Sequence, residues 1–157
     1  LLRSATRPSA PQVLRLLDYV IFNALIGNHD AHAKNFSLLY TGKATVLAPF
    51  YDTLSTAVYS TLTQKMAMQI GSKYKFSEVQ ARHWEQFAEG VGFTKGQAKR
   101  RILELAKLLP TTARKLQLAP ERGFVGNAVV EQINTLIEQR CALTIRRLND
   151  PAAESSV

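Results

Sequence analysis

Apolar residues Val13, Leu14, Leu17, Val20, Ile21, Ala24 and Leu25 recur at the spacing of one helix face. The pattern predicts a largely buried helix from Pro11 to Ile26, opened by the capping-box sequence Ser9-Ala-Pro-Gln12 and closed by Gly27. Its polar members Gln12, Arg15 and Asp18 step by three and mark a narrow solvent stripe. Two β-leaning runs follow, Phe36 to Tyr40 and Ala44 to Phe50. Thr41-Gly42-Lys43 joins them as a hairpin, and Pro49 keeps the second strand out of a sheet interior. Met66 to Ile70 alternates apolar with smaller or polar residues and predicts another short strand ending at Gly71.

The second half reads as helical. Ser77-Glu-Val-Gln80 and Thr94-Lys-Gly-Gln97 have capping-box form. They introduce apolar rows at Trp84, Phe87 and Val91, then at Ala98, Ile102, Leu105 and Leu109. Pro110 is expected to end or kink the second of these helices. Beyond the Pro- and Gly-punctuated stretch Pro120 to Gly126, residues Val129, Val130, Ile133, Leu136, Ile137, Leu143 and Ile145 describe a last helix to about Leu148. A frayed tail, residues 149–157, is expected after it.

At 157 residues, 46% of them hydrophobic, the chain suits one domain with its own core, residues 1–148. The most apolar stretch, Val13 to Ile26, carries Arg15 and Asp18 and is shorter than the roughly 20 residues a bilayer span needs, so no membrane helix is expected. Cys141 is the only cysteine, which excludes a disulfide-stapled scaffold and points to the cytoplasm. The chain opens with Leu1 rather than Met and lacks a signal-peptide pattern, as a fragment would. A formal charge of +8 favours anionic partners. Most of that charge lies between Phe93 and Leu148, with eleven Lys and Arg against four Glu. Lys99, Arg100, Arg101, Lys107, Arg146 and Arg147 suit solvated outer helix faces or a binding patch.

The segment Gly27-Asn-His-Asp-Ala-His-Ala-Lys-Asn35 concentrates more functional side chains than any other part of the sequence. A polar connection capped by Asn28 or Asp30 is its plainer reading. Its spacing suggests more. In kinase catalytic loops an Asp accepts the substrate hydroxyl proton and an Asn further on binds Mg²⁺, and Asp30 and Asn35 stand at that interval. The hairpin returns the chain so that Asp52 reaches the same open end as Asn35. Asp52, Asn35 and ATP phosphate would then supply the oxygen ligands Mg²⁺ prefers. Lys34 can neutralise a transferring phosphoryl group or orient Asp30. Asp52 alone also suits a helix N-cap in Asp52-Thr-Leu-Ser.

Three blocks now point to a family: Phe22-Asn-Ala-Leu-Ile-Gly-Asn-His-Asp-Ala-His-Ala-Lys-Asn-Phe-Ser-Leu-Leu39, Leu47-Ala-Pro-Phe-Tyr-Asp52 and Lys65-Met-Ala-Met-Gln-Ile-Gly71. Together, and in this order, they resemble the C-terminal lobe of HipA-type serine/threonine kinases, and His83-Trp-Glu-Gln-Phe87 extends the likeness. The resemblance implies a mainly α, kinase-like C-lobe with a β-hairpin carrying the catalytic and metal-binding residues. It implies Asp30 as the catalytic Asp and Asn35 and Asp52 on Mg²⁺, with Thr53-Leu54 after the metal Asp; from the same loop Lys34 is expected in catalysis, and His32 and Asn35 at the nucleotide. ATP is the implied co-substrate. By the same resemblance the partners are a protein substrate such as an aminoacyl-tRNA synthetase, a HipB-like antitoxin, and DNA through that antitoxin. The N-lobe that covers the nucleotide phosphates has no counterpart in these residues, so this fragment alone is expected to bind nucleotide weakly and transfer phosphate poorly.

Other readings fit less of the pattern. Gly27-Asn-His-Asp30 is also a form found in two-metal phosphatases, but His29, His32 and His83 under-supply such a site. A transition-metal site on His29, His32 and Asp30 would crowd three ligands into one tight loop. A non-catalytic basic module that binds an antitoxin or DNA remains the alternative of a different class, and its binding would fall steeply with salt.

Overall fold

The computed structural model describes residues 2–6, 8–42 and 44–150. A short helix α1 (Leu2–Ala5) precedes α2 (Ser9–Ile26), and α3 (Ala81–Gly90), α4 (Lys95–Leu118) and α5 (Ala128–Asn149) complete the helical frame. Between α2 and α3 lie two antiparallel ribbons, β1 (Leu38–Tyr40) with β2 (Thr45–Leu47), and β3 (Lys65–Ile70) with β4 (Lys73–Lys75). The architecture is mainly α, as its periodicity predicts. No described helix is long and apolar enough to cross a membrane.

Helix α2 runs through the middle of the core. Leu17, Ile21 and Leu25 are fully buried and meet Met66 and Ile70 of β3, Trp84 and Ala88 of α3, Ala98, Ile102 and Ala106 of α4, and Ile137 and Cys141 of α5. Leu14, on the expected apolar row, is exposed. The helix starts at Ser9 after an N-cap at Pro8, and the Ser9–Gln12 capping box does not form. Buried Gln12 points elsewhere, accepting a 2.9 Å hydrogen bond from the Leu47 amide of β2.

The polar stripe of α2 is therefore a seam between elements rather than a solvent face. Arg15 donates to the Leu47 carbonyl at 3.1 Å and to Tyr19 Oη at 2.9 Å, and Tyr19 Oη donates to the Ala48 carbonyl at 3.0 Å. Asp18 accepts two bonds from Arg101 of α4, at 2.6 and 2.8 Å. A half-buried, bidentate Arg–carboxylate pair of this kind holds geometry better than an exposed one.

The β1–β2 ribbon pairs Leu38 with Leu47, Leu39 with Val46 and Tyr40 with Thr45, inside the two predicted runs. Lys43 of the expected turn lies outside the described residues. On β3, Met66 and Ile70 point inward, as the alternation predicts, while the partner strand β4 had no sequence signal. Helix α3 opens after an N-cap at Gln80, not at Ser77. Residues Phe76–Glu78 form a 3₁₀ turn, and the Gln80 amide donates to His83 Nδ1 at 2.8 Å in a capping box built three residues later.

Thr94 and Gln97 form the predicted capping box of α4. That helix continues through Pro110 to Leu118. Its last turns are fastened to α5, which offsets the hydrogen bond the proline cannot make. Arg114 reaches Glu138 and Glu131 at 2.6 Å each, Gln117 donates to Glu131 at 2.8 Å, and Asn134 donates to Gln117 at 2.7 Å. Helix α5 is capped by Asn127 and includes Asn149, the first residue of the expected tail; residues 151–157 lie outside the described part.

Candidate active site

The site begins where α2 ends. Gly27 takes the left-handed conformation, φ 78°, and turns the chain into the polar loop. The segment after Asp52 wraps this turn. Ser55 Oγ donates to the Ile26 carbonyl at 2.6 Å, the Ala57 amide to the Gly27 carbonyl at 3.0 Å, and the His29 amide to Thr56 Oγ1 at 2.9 Å. No α-helix starts at Asp52-Thr-Leu-Ser; a 3₁₀ turn at Thr56–Val58 is all that follows, without a side-chain cap.

Asn28 is the hub of the loop. It is buried, its amide nitrogen donates to Asn23 Oδ1 at 2.9 Å and to the Asp52 carbonyl at 3.0 Å, and its Oδ1 accepts from the Asp30 amide at 3.1 Å. One side chain thus fixes the backbones of Asp30 and Asp52 together. Asn23 is held in turn by its own bond to the Tyr19 carbonyl, 3.0 Å.

The β1–β2 ribbon brings its two flanks together. Asn35 closes a 3₁₀ turn, Ala33–Asn35, just before β1, and Asp52 lies beyond β2. Asn35 Nδ2 donates to Asp52 Oδ2 at 2.7 Å. Asp52 has φ 56°, the one non-glycine residue with positive φ among the described residues. Such conformations cost energy and persist where the surroundings impose them, often at functional sites. The expectation that the hairpin carries these residues needs correction: Asp30, Asn35 and Asp52 sit on the arms that enter and leave it, because the strands are only the paired central part of the two runs.

The remaining site candidates are placed less closely. Asp30 is exposed and tied to the others through Asn28. Lys34 is exposed, and its part in the local frame is its carbonyl, which accepts from Tyr51 Oη at 2.8 Å while that hydroxyl also meets Ser37 Oγ at 2.7 Å. Tyr51 gave no sequence signal as a brace. His32 is half-buried and its Nδ1 is enclosed without a partner among the described residues. His29 points inward, its Nδ1 3.2 Å from the Thr63 carbonyl and its Nε2 3.4 Å from Arg140. Burial pulls the His29 imidazole below its ordinary range. With both ring nitrogens engaged in the interior, His29 cannot join His32 and Asp30 around a transition metal, and no group of three or more His, Cys, Asp or Glu placed to hold a metal ion occurs among the described residues.

A family model for the HipA-like C-terminal domain matches residues 1–113, more than half of the chain. The chain belongs to the HipA-like C-terminal domain family. It is 46% identical over 105 residues to "Putative kinase Y4mE" of Sinorhizobium fredii (strain NBRC 101917 / NGR234), a match covering 67% of this chain and 25% of that protein. It is 30% identical over 127 residues to the serine/threonine-protein kinase toxin HipA of Shewanella oneidensis, covering 80% of this chain and 29% of the toxin. The fold superposes with a TM-score of 0.74 and 25% identity on a chain of the Shewanella oneidensis MR-1 complex of HipA, HipB and operator DNA, covering 90% of this chain and 33% of that one. This HipA-like chain therefore spans about a quarter to a third of the length of the relatives it matches. The superposition extends past residue 113 into the α4–α5 pair, where the family model stops.

Proposed function

We propose that this HipA-like chain is the C-terminal lobe of a protein serine/threonine kinase, the toxin of a toxin–antitoxin pair, transferring the γ-phosphoryl group of ATP to a protein hydroxyl. The observation that carries the reading is the Asn35–Asp52 contact at 2.7 Å with Asp30 tied to Asp52 through Asn28. The kinase name of the relatives supplies the reaction class.

The donor set suits Mg²⁺. Asp52 offers carboxylate oxygens, Asn35 an amide oxygen once its side chain turns about χ2, and neither sulfur nor imidazole intrudes. When bound, Mg·ATP supplies the transferable phosphoryl group and the cation that neutralises its charge. The chain's own residues do the rest. Exposed Asp30 accepts the proton of the attacking Ser or Thr hydroxyl, and Asn28 holds its backbone at a fixed offset from Asp52. Exposed Lys34 offers positive charge to the phosphates, and half-buried His32 offers its ring to the nucleotide.

A HipB-like antitoxin, and DNA bound by it, are proposed as partners because the solved neighbour is such a complex. The protein substrate is proposed only as a class, with an aminoacyl-tRNA synthetase as the first candidate, and the cytoplasm as the compartment. The test is Mg²⁺-dependent ATP binding by this chain, followed by calorimetry. Weak binding that disappears in Asp52→Asn and Asn35→Ala, with unchanged melting temperatures, is the expected result. Equal binding by parent and both variants would overturn the metal assignment.

A further inference from the structure

Beneath the polar loop, the inner side of His29 lines an open-mouthed cavity of about 240 Å³, together with the polar Gln64, Lys75, Ser77, Gln139 and Arg140 and the apolar Phe76 and Leu143. It lies between the β3–β4 ribbon, the Phe76–Glu78 turn and α5. Drug-sized ligands occupy pockets of about 300–1,000 Å³, so this one suits a single small group.

Arg140 is the unusual member. It is 9% exposed, and three of its contacts explain its position: Nε donates to the Ala24 carbonyl at 2.8 Å near the end of α2, Nη1 faces His29 Nε2 at 3.4 Å, and the guanidinium carbon stands 3.7 Å from the Phe76 ring centroid. A neutral His29 that donates from Nδ1 to Thr63 leaves Nε2 free to accept from Arg140. Nη2 has no partner among the described residues, though it is buried. No carboxylate among the described residues pairs with Arg140, whereas Arg101 and Arg114 each meet carboxylates at 2.6 Å. Burial lowers the Arg140 pKa to about 10, which leaves the group charged at neutral pH. A buried charge without a counter-charge is expensive to maintain.

The surroundings add positive charge. Lys75 lines the cavity beside Ser77, and Arg147 donates to the carbonyls of Val79 at 2.7 Å and Ser77 at 2.8 Å, fixing the turn. Glu78 is the nearby carboxylate, and it is exposed and shared between Lys73 at 3.6 Å and Lys75 at 4.0 Å. Two cations, a hydroxyl and two carboxamides line the space beside Phe76 and Leu143, and as donors they match a phosphate with its several acceptor oxygens better than a carboxylate with two.

We propose that this cavity binds a phosphate group, with Arg140 and Lys75 supplying the charge and Ser77 a neutral donor. The site does not use Asp30, Asn35 or Asp52, and it stands whether or not the chain is a kinase. An occupant would join the β3–β4 ribbon, α5 and His29, the neighbour of Asp30.

The test is calorimetric titration of this chain with inorganic phosphate in chloride buffer without Mg²⁺. Saturable one-site binding is expected. Lys75→Ala, at an exposed position, should weaken it about tenfold, the loss of one charge-assisted hydrogen bond, without moving the melting temperature in phosphate-free buffer. Arg140→Gln should abolish it; if that variant fails to fold, Lys75→Ala and Ser77→Ala carry the decision. Binding should persist in Asp52→Asn, which separates this site from the proposed metal site. O-phosphoserine binding more tightly than inorganic phosphate supports the proposal with a phosphorylated side chain as the source, and the reverse order supports it with the free ion. No saturation by about 10 mM phosphate, parent-like affinity in both Lys75→Ala and Ser77→Ala, or loss of binding in Asp52→Asn would overturn it.

Discussion

Asn28→Ala removes the side chain that joins Asn23, Asp30 and Asp52. Its three bonds measure 2.9, 3.1 and 3.0 Å, and the residue is 4% exposed. The partners differ in what they lose. Asn23 Oδ1 belongs to a buried residue, so leaving it without a donor costs about 1–3 kcal/mol, whereas the Asp30 amide and Asp52 carbonyl belong to exposed residues and can turn to water at about 0.5–1 kcal/mol each. The total is about 2–5 kcal/mol. For a domain of this size that corresponds to a melting-temperature drop of roughly 4–20 °C. Urea unfolding followed by circular dichroism measures it directly, with the midpoint shifted and the slope unchanged, because the area exposed on unfolding is the same. A loss below about 0.5 kcal/mol would refute the argument that this hub holds the loop, and with it the claim that Asp30 and Asp52 are placed together by a rigid frame.

Other outcomes follow from particular contacts. Gly27→Ala should cost at least about 1 kcal/mol by chemical denaturation, since φ is 78° and an added Cβ would stand 2.6 Å from Leu136 Cδ2 and 2.9 Å from Ala57 Cβ. Arg114 holds the Glu131 and Glu138 carboxyls below their ordinary value of 4.5, so the unfolded chain binds protons there first; the stability they lend is present above that pH and is lost as pH falls through the lower folded values. Glu138→Gln should flatten that acid limb in a series of melts from pH 6 to 3. Burial raises the Cys141 thiol to about 12, and the native protein should therefore react with a disulfide reagent only as fast as it unfolds, as a kinetic thiol assay would read.

The parts of this fold that periodicity reveals are those whose local preference and tertiary environment agree. Leu17, Ile21 and Leu25 mark α2 because one buried stripe faces the whole core. Three capping-box sequences were equally visible, yet only Thr94–Gln97 forms as written. Gln12 is drawn to the Leu47 amide, and His83 captures Gln80, partners that no local pattern encodes. Pro110 misleads for the same reason: the Arg114 and Gln117 contacts to α5 sustain the helix beyond it. At the site, the Asn35–Asp52 contact was legible because an antiparallel ribbon must bring its flanks together. The Asn28 hub and the Tyr51 brace were not, since their partners lie on distant segments. Nothing in the sequence set Arg140 apart from the other cations of the basic half, and only the packing of α5 against Phe76 and His29 shows it buried.

The central claim is that Asp30, Asn35 and Asp52 form the phosphoryl-transfer centre of a HipA-type kinase lobe. The direct measurement is incorporation of label from γ-labelled ATP, with Mg²⁺, by the longest natural polypeptide containing this sequence, beside its Asp30→Asn and Asp52→Asn variants. Label in protein Ser or Thr from the unaltered polypeptide, with at least about a hundredfold loss in each equally stable variant, is the predicted result. Undiminished labelling in the Asp30→Asn and Asp52→Asn variants, or none from an unaltered polypeptide that includes an intact N-lobe, would contradict it.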